Sequence, residues 1–395
     1  MMQKEEEFFL QVLADYLNGR LTRVPEDLDW SVIESIGEAH EMTGVIYHQC
    51  KNNIVQFNLP DTEKNKWKRV YISNFILYSK RLALLKQVDA AFQKENIPYL
   101  IFKGTEIAKY YPVPAQRTMG DSDFLVHEQD KQRACEALTR LGFEMDLTRS
   151  NYNEWHIIKN DMTIELHHKL IYDYNVELEA IQNWGNKVWD YVTVYNNQAR
   201  RELDLTYHLV YTILHLRKHL LQEIVGFRQF MDVAELALQA DINWKQAELW
   251  FDELNLGNFS QVCFAFCRKW FDIQIPNRKC ELEDDFYTLF TEKMLAGGVF
   301  GLIIDKKATE NVVFNEMRFA KSSSVYGILK YAFLPYEKMR PLPYCKFLDG
   351  RPYLLPVAWC WRFIYRFGKV VPLLKGAYDS DTIKKKEDML TKWGL

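Results

Sequence analysis

Several features that would assign this chain to a large functional class are missing. Nowhere do about 18 apolar residues run together, which argues against a membrane-spanning helix. Neither charge sign dominates: 50 Lys and Arg face 53 Asp and Glu, for a net charge of -3 over 395 residues. A long nucleic acid is therefore not an expected partner, since its phosphates call for a basic stripe or a strongly basic domain. The seven cysteines lie apart with no C-x-x-C pair, so neither a disulfide framework nor a cysteine-bound zinc is expected. In "CFAFC", Cys263 and Cys267 share a helical face and read as buried packing. Internal repeats and low-complexity tracts are also lacking, and 48% hydrophobic with 26% charged residues is the balance of an ordinary globular chain. The opening "MMQKEEEFFLQVL" is acidic and amphipathic, unlike a secretory signal, so a cytoplasmic location is the expectation.

What is present divides the chain by texture. Residues 1–96 carry apolar positions at helical spacing, as in "EEFFLQVLADYLNG", and form an N-terminal helical region. Residues 97–195 differ. "IPYLIFKG" and "SDFLV" read as strands, "DKQRACEALTRLGF" as a helix, and "EWHIIK" with "MTIELHHKL" as a hairpin about Asn160-Asp161. Residues 196–295 return to helix, with Asp241 or Asn243 capping "WKQAELWFDEL". Residues 296–395 mix helix and loop. Within them, 353–376 combines aromatics with Arg362, Arg366, Lys369 and Lys375. Pro356 and Pro372 interrupt it, so packing or a partner contact is favoured over contact with a membrane surface. The fold class is α+β: a small mixed-sheet α/β core flanked by helical regions.

The chemistry concentrates in "TMGDSDFLV". On a strand, Asp121 and Asp123 point one way and Ser122 and Phe124 the other. The two aspartate Cα atoms lie about 6.6 Å apart, twice the strand rise of roughly 3.3 Å. Carboxylates that close repel unless a cation sits between them, and Mg2+ suits hard oxygen ligands of this kind. Alone, D-x-D also describes a solvated strand end. Glu165, an isolated acid in "TIELHH", adds a third carboxylate from the same segment. "FKGT" places Gly104, which permits close backbone approach, and the Thr105 hydroxyl after the first strand.

Taken together, "FKGTEIAKYYPVPAQRTMGDSDFLV", "LTRLGFE", "IELHHKL" and the following helices resemble an uncharacterised bacterial nucleotidyltransferase family within the polymerase-β-type nucleotidyltransferase superfamily. The resemblance covers about residues 75–275. It implies transfer of a nucleoside monophosphate from a nucleoside triphosphate such as ATP to a hydroxyl, with release of pyrophosphate. Asp121, Asp123 and Glu165 would hold two Mg2+ ions, with Mn2+ as a substitute, and Glu165 would orient or deprotonate the attacking hydroxyl. Gly104 and Thr105 match the superfamily's glycine-serine turn, with threonine in place of serine. Lys103, Arg117, Gly120 and Lys218 would complete the nucleotide site. The acceptor, whether a small molecule, a sugar or a protein side chain, is not legible. A second reading is a nucleotide-binding regulator that kept the fold without turnover.

Other residues carry weaker signals. His167 shares a strand face with Glu165, but a His-Glu zinc site lacks a companion motif. His208, Tyr211, His215 and His219 fall near one face of "YHLVYTILHLRKHLL", the pattern of a cleft wall or of packed, satisfied imidazoles. Arg228 and Asp232 are spaced for a helical ion pair.

Overall fold

The computed structural model describes residues 2–51, 60–147, 149–150, 154–171, 179–195, 199–221, 225–276, 280–299, 333–340, 343–365 and 388–395. Residues 366–376 of the aromatic and basic segment lie outside them. Seven strands make one mixed sheet: β1 (Tyr99–Phe102), β2 (Asp121–Val126), β3 (Glu144–Met145), β4 (Glu154–Lys159), β5 (Met162–His167), β6 (Val192–Val194) and β7 (Arg200–Leu203), in the order β3-β4-β5-β2-β1-β7-β6. β2 runs parallel to β5 and β1 parallel to β7, and the other neighbours are antiparallel. β4 and β5 form the hairpin read from the sequence. Asn160 turns it with φ 52°, a left-handed value that asparagine tolerates better than most residues. The fold class is therefore α+β, as the sequence texture indicated.

The pleat decides what lies beneath and above the sheet. Phe102 pairs with Asp123 and Leu100 with Leu125, so Asp121, Asp123 and Leu125 share a face with Leu100 and Phe102. That face meets a helical layer of α1 (Lys4–Leu17), α8 (Leu205–Leu221), α9 (Phe227–Ala237) and α11 (Gly257–Phe271), whose Phe9, Tyr207, Phe230 and Trp270 belong to the same buried cluster. The opposite face buries Ile101, Phe124, Val126 and Leu166 against Val88 and Phe92 of α4 (Asp61–Lys94) and Ala134 and Leu138 of α6 (Lys131–Arg140). Burying each such Phe or Leu contributes about 1.5–3 kcal/mol, whereas a one-residue slip of β2 would drive Asp123 into this apolar layer. Register is thus fixed by packing.

Asn243 accepts a hydrogen bond from the Gln246 amide and caps the helix Trp244–Glu253. Cys263 and Cys267 are buried and unbridged within α11. No helix among the described residues is long and apolar enough to cross a membrane.

Candidate active site

The site lies where the N-terminal end of β2 leaves the core. Arg81, reaching from α4, donates to the carbonyls of Asp121 (2.7 Å) and Met119 (3.0 Å) and to Ser122 Oγ (2.8 Å). It fixes the approach to β2 from the face opposite the carboxylates. Parallel pairing then sets Asp123 beside Glu165 and Leu125 beside His167. Glu165 and His167 accordingly share the face of Asp123. His167 Nε2 lies 3.0 Å from Asp123 Oδ1 and 3.5 Å from Glu165 Oε2. One ligand atom from each of Asp123, Glu165 and His167 falls within 4.8 Å of the other two.

Lys103 closes the site from β1. Its backbone takes φ 55°, ψ -140°, a region glycine prefers, at a cost of about 1–3 kcal/mol. This turn points its N–H at His208 Nε2 (3.3 Å) and returns its ammonium to Asp123 Oδ1 (2.5 Å). Burial opposes the charge on Lys103, but Asp123, Tyr211 and Glu165 outweigh it and raise the lysine pKa above its ordinary value. Burial also works against ionisation of Asp123, yet Lys103 and His167 hold that carboxyl below its usual range. Asp121 shifts the other way. Burial first, then the charges of Asp123 and Glu165, push it up to about 6. Neighbouring carboxylates thus sit in opposed environments, one beside the Lys103 ammonium and one repelled by anions.

Helix α8 forms the adjoining wall. Tyr211 packs edge-on to Phe102 at 5.7 Å between ring centres. His215 and His219 meet through their Nε2 atoms at 2.8 Å. Burial, with nearby cations adding, holds His215 well below its ordinary pKa and lowers His219 to about 4, so both are neutral near pH 7. Lys218 is shifted down by burial and then by Lys103, while Glu154, Glu165 and Asp123 act in the opposite sense. These interactions put Lys218 within electrostatic reach of the carboxylates.

Other expected site residues turn to partners within the chain. Arg117 grips Asp232, with Nη2 on Oδ2 at 2.6 Å and Nε on Oδ1 at 3.2 Å, and Tyr111 donates to the same carboxylate at 2.7 Å. The Arg228–Asp232 ion pair expected from helical spacing does not form; Arg228 reaches Glu41 and the Thr118 carbonyl instead. Thr105 donates to Ser122 Oγ at 3.0 Å. A Cβ on Gly104 would stand 2.2 Å from Arg117 Nη1 and would have to displace the guanidinium that Asp232 holds, whereas one on Gly120 would meet nothing within 4 Å. Sequence reasoning passed over Arg81, Glu154 and His156. The two-residue turn could have found the last two, because it sets Glu154 opposite His167 and His156 opposite Glu165. Nothing in "YSKRLALL" singles out Arg81.

The mixed sheet thus presents a D-x-D strand, a third acid on its parallel neighbour and a lysine at the first turn. The family model described as "Uncharacterised nucleotidyltransferase" matches residues 26–272, more than half of the chain. The chain belongs to this nucleotidyltransferase family. No curated protein and no solved structure matches it.

Proposed function

We propose that this chain is a divalent-metal-dependent nucleotidyltransferase that moves a nucleoside monophosphate from a nucleoside triphosphate to a hydroxyl acceptor. The observation that carries the reading is the convergence of Asp123 and Glu165, with Asp121 in their field, beside the Lys103 ammonium. The donors fit a cation. Asp123 and Glu165 gather negative charge that the structure offsets with the Lys103 ammonium and with His167 Nε2, which lies at hydrogen-bond distance (3.0 Å) from Asp123 Oδ1. Asp121, Asp123 and Glu165 would hold the ions, expected from the family resemblance to be Mg2+ with Mn2+ as a substitute. When bound, these would stabilise the entering and leaving oxygens of an in-line displacement.

The chain's own residues do the rest. Lys103 and Lys218 face the triphosphate charge, and the Lys103–Gly104–Thr105 turn borders the space it occupies. Arg117 supports that turn from beneath through its contact with Gly104. The acceptor oxygen bonds to the α-phosphorus, the bond to the oxygen bridging toward the β-phosphorus breaks, and pyrophosphate departs. Glu165, partly exposed, accepts the hydroxyl proton. Catalysis of this kind is mostly positioning and charge stabilisation.

The test is release of pyrophosphate from each nucleoside triphosphate, with a divalent cation and fractionated cell extract as the acceptor source. The double variant Asp121→Asn, Asp123→Asn should abolish the signal. Equal release by wild type and variant would defeat the proposal.

A further inference from the structure

We infer that His167 is itself a metal ligand, and that the nitrogen-containing site it completes selects Mn2+ or a neighbouring first-row transition ion over Mg2+. The inference rests on the transfer reading for its setting, but its test uses metal binding alone.

The geometry is specific about which imidazole atom faces the site. His167 is only 3% exposed. The Phe102 ring stands edge-on to it at 5.3 Å, which restricts its rotation. Its Nδ1 lies 4.0 Å from Glu154 Oε2, while its Nε2 is in hydrogen-bond contact with Asp123 Oδ1 at 3.0 Å and lies 3.5 Å from Glu165 Oε2, so a bound ion would take the place of the proton on Nε2. Glu154 thus stands on the side of the ring where metal-bound histidines meet an orienting carboxylate, here just beyond hydrogen-bond distance. Asp121, first in the D-x-D pair, stands outside the group whose ligand atoms converge.

The donor chemistry then decides the ion. Mg2+ demands oxygen, favours near-ideal octahedral geometry and loses its waters reluctantly. An imidazole fixed among buried groups serves it poorly. First-row divalent ions bind nitrogen with an affinity that rises from Mn2+ to Cu2+ and falls back at Zn2+, and they accept mixed nitrogen and oxygen sets. His156 is the competing imidazole, with Nδ1 3.5 Å from Glu165 Oε1. Unlike His167, it is outside the converging group, so it provides the control.

The experiment titrates the full chain with Mn2+ alone, counts the free ion by electron paramagnetic resonance, and repeats the titration against Mg2+. Pulsed resonance on the bound ion then reads modulation from a coordinated imidazole nitrogen. The wild type should bind Mn2+ at least about tenfold more tightly than Mg2+ and show nitrogen modulation. His167→Gln should abolish the modulation and weaken Mn2+ about tenfold or more while changing Mg2+ affinity far less. His156→Gln should retain the modulation. Wild-type measurements stand even if the buried His167 variant fails to fold. Bound Mn2+ without nitrogen modulation, modulation that survives His167→Gln, or no Mn2+ binding at all would overturn the inference. Pyrophosphate release without nitrogen modulation would remove His167 alone and spare the transfer reaction. Nitrogen modulation without any nucleotide turnover would do the reverse.

Discussion

Replacing Glu235 with glutamine should stabilise this protein, and only above about pH 5. Glu235 lies in α9 at 4% exposure, and its Oε1 has no hydrogen-bond partner among the described residues. Burial first, then the Asp232 charge one turn away, push its carboxyl up from 4.5 to about 8. Below pH 4.5 the group is protonated in both the folded and unfolded chain and affects neither. Between 4.5 and 8 the unfolded chain releases the proton while the folded chain keeps it, so stability falls as pH rises. At about 1.4 kcal/mol per unit, the loss reaches roughly 3 kcal/mol at pH 7 and about 5 kcal/mol above pH 8. Glutamine has the shape of the protonated acid and never ionises. Urea denaturation of wild type and Glu235→Gln should therefore give similar stabilities near pH 4.5, with a gap in favour of glutamine that widens to pH 8 and then holds constant. A gap independent of pH would refute the reasoning, because contributions from other titrating groups cancel in the difference.

Three further outcomes follow from the site. Lys103→Met removes the ammonium that competes for Asp123 Oδ1, so calorimetry should show divalent-cation affinity rising about tenfold while pyrophosphate release falls. Gly104→Ala forces a methyl against Arg117 and should cost about 1–3 kcal/mol in chemical denaturation, with reduced turnover as the Lys103 turn shifts. Asp232→Asn strips the buried Arg117 guanidinium of its charge partner and should cost about 3–5 kcal/mol, measured the same way.

The parts of this architecture that were legible in the sequence were those set by local periodicity. Alternation in "MTIELHHKL" and the Asn160-Asp161 turn specified the hairpin, and the period of two put Asp121 and Asp123 on one face. What stayed hidden depended on contacts between distant segments. Asp232 satisfies Arg117, 115 residues away, rather than Arg228 on its own helix. Arg81 binds the Asp121 carbonyl across 40 residues, and no local pattern marks an arginine for that role. The parallel pairing of β1 with β7, which extends the sheet past residue 195, likewise depends on a long-range partner. His167 was visible as a face-mate of Glu165, but its approach to Asp123 required the β2–β5 register.

The most direct test of the central claim is an anomalous difference map at the manganese edge from crystals soaked with Mn2+ and a non-hydrolysable nucleoside triphosphate. The account predicts peaks among Asp121, Asp123, Glu165 and His167, with triphosphate density between Lys103 and Lys218. Manganese bound elsewhere, or nucleotide bound away from these residues, would contradict it.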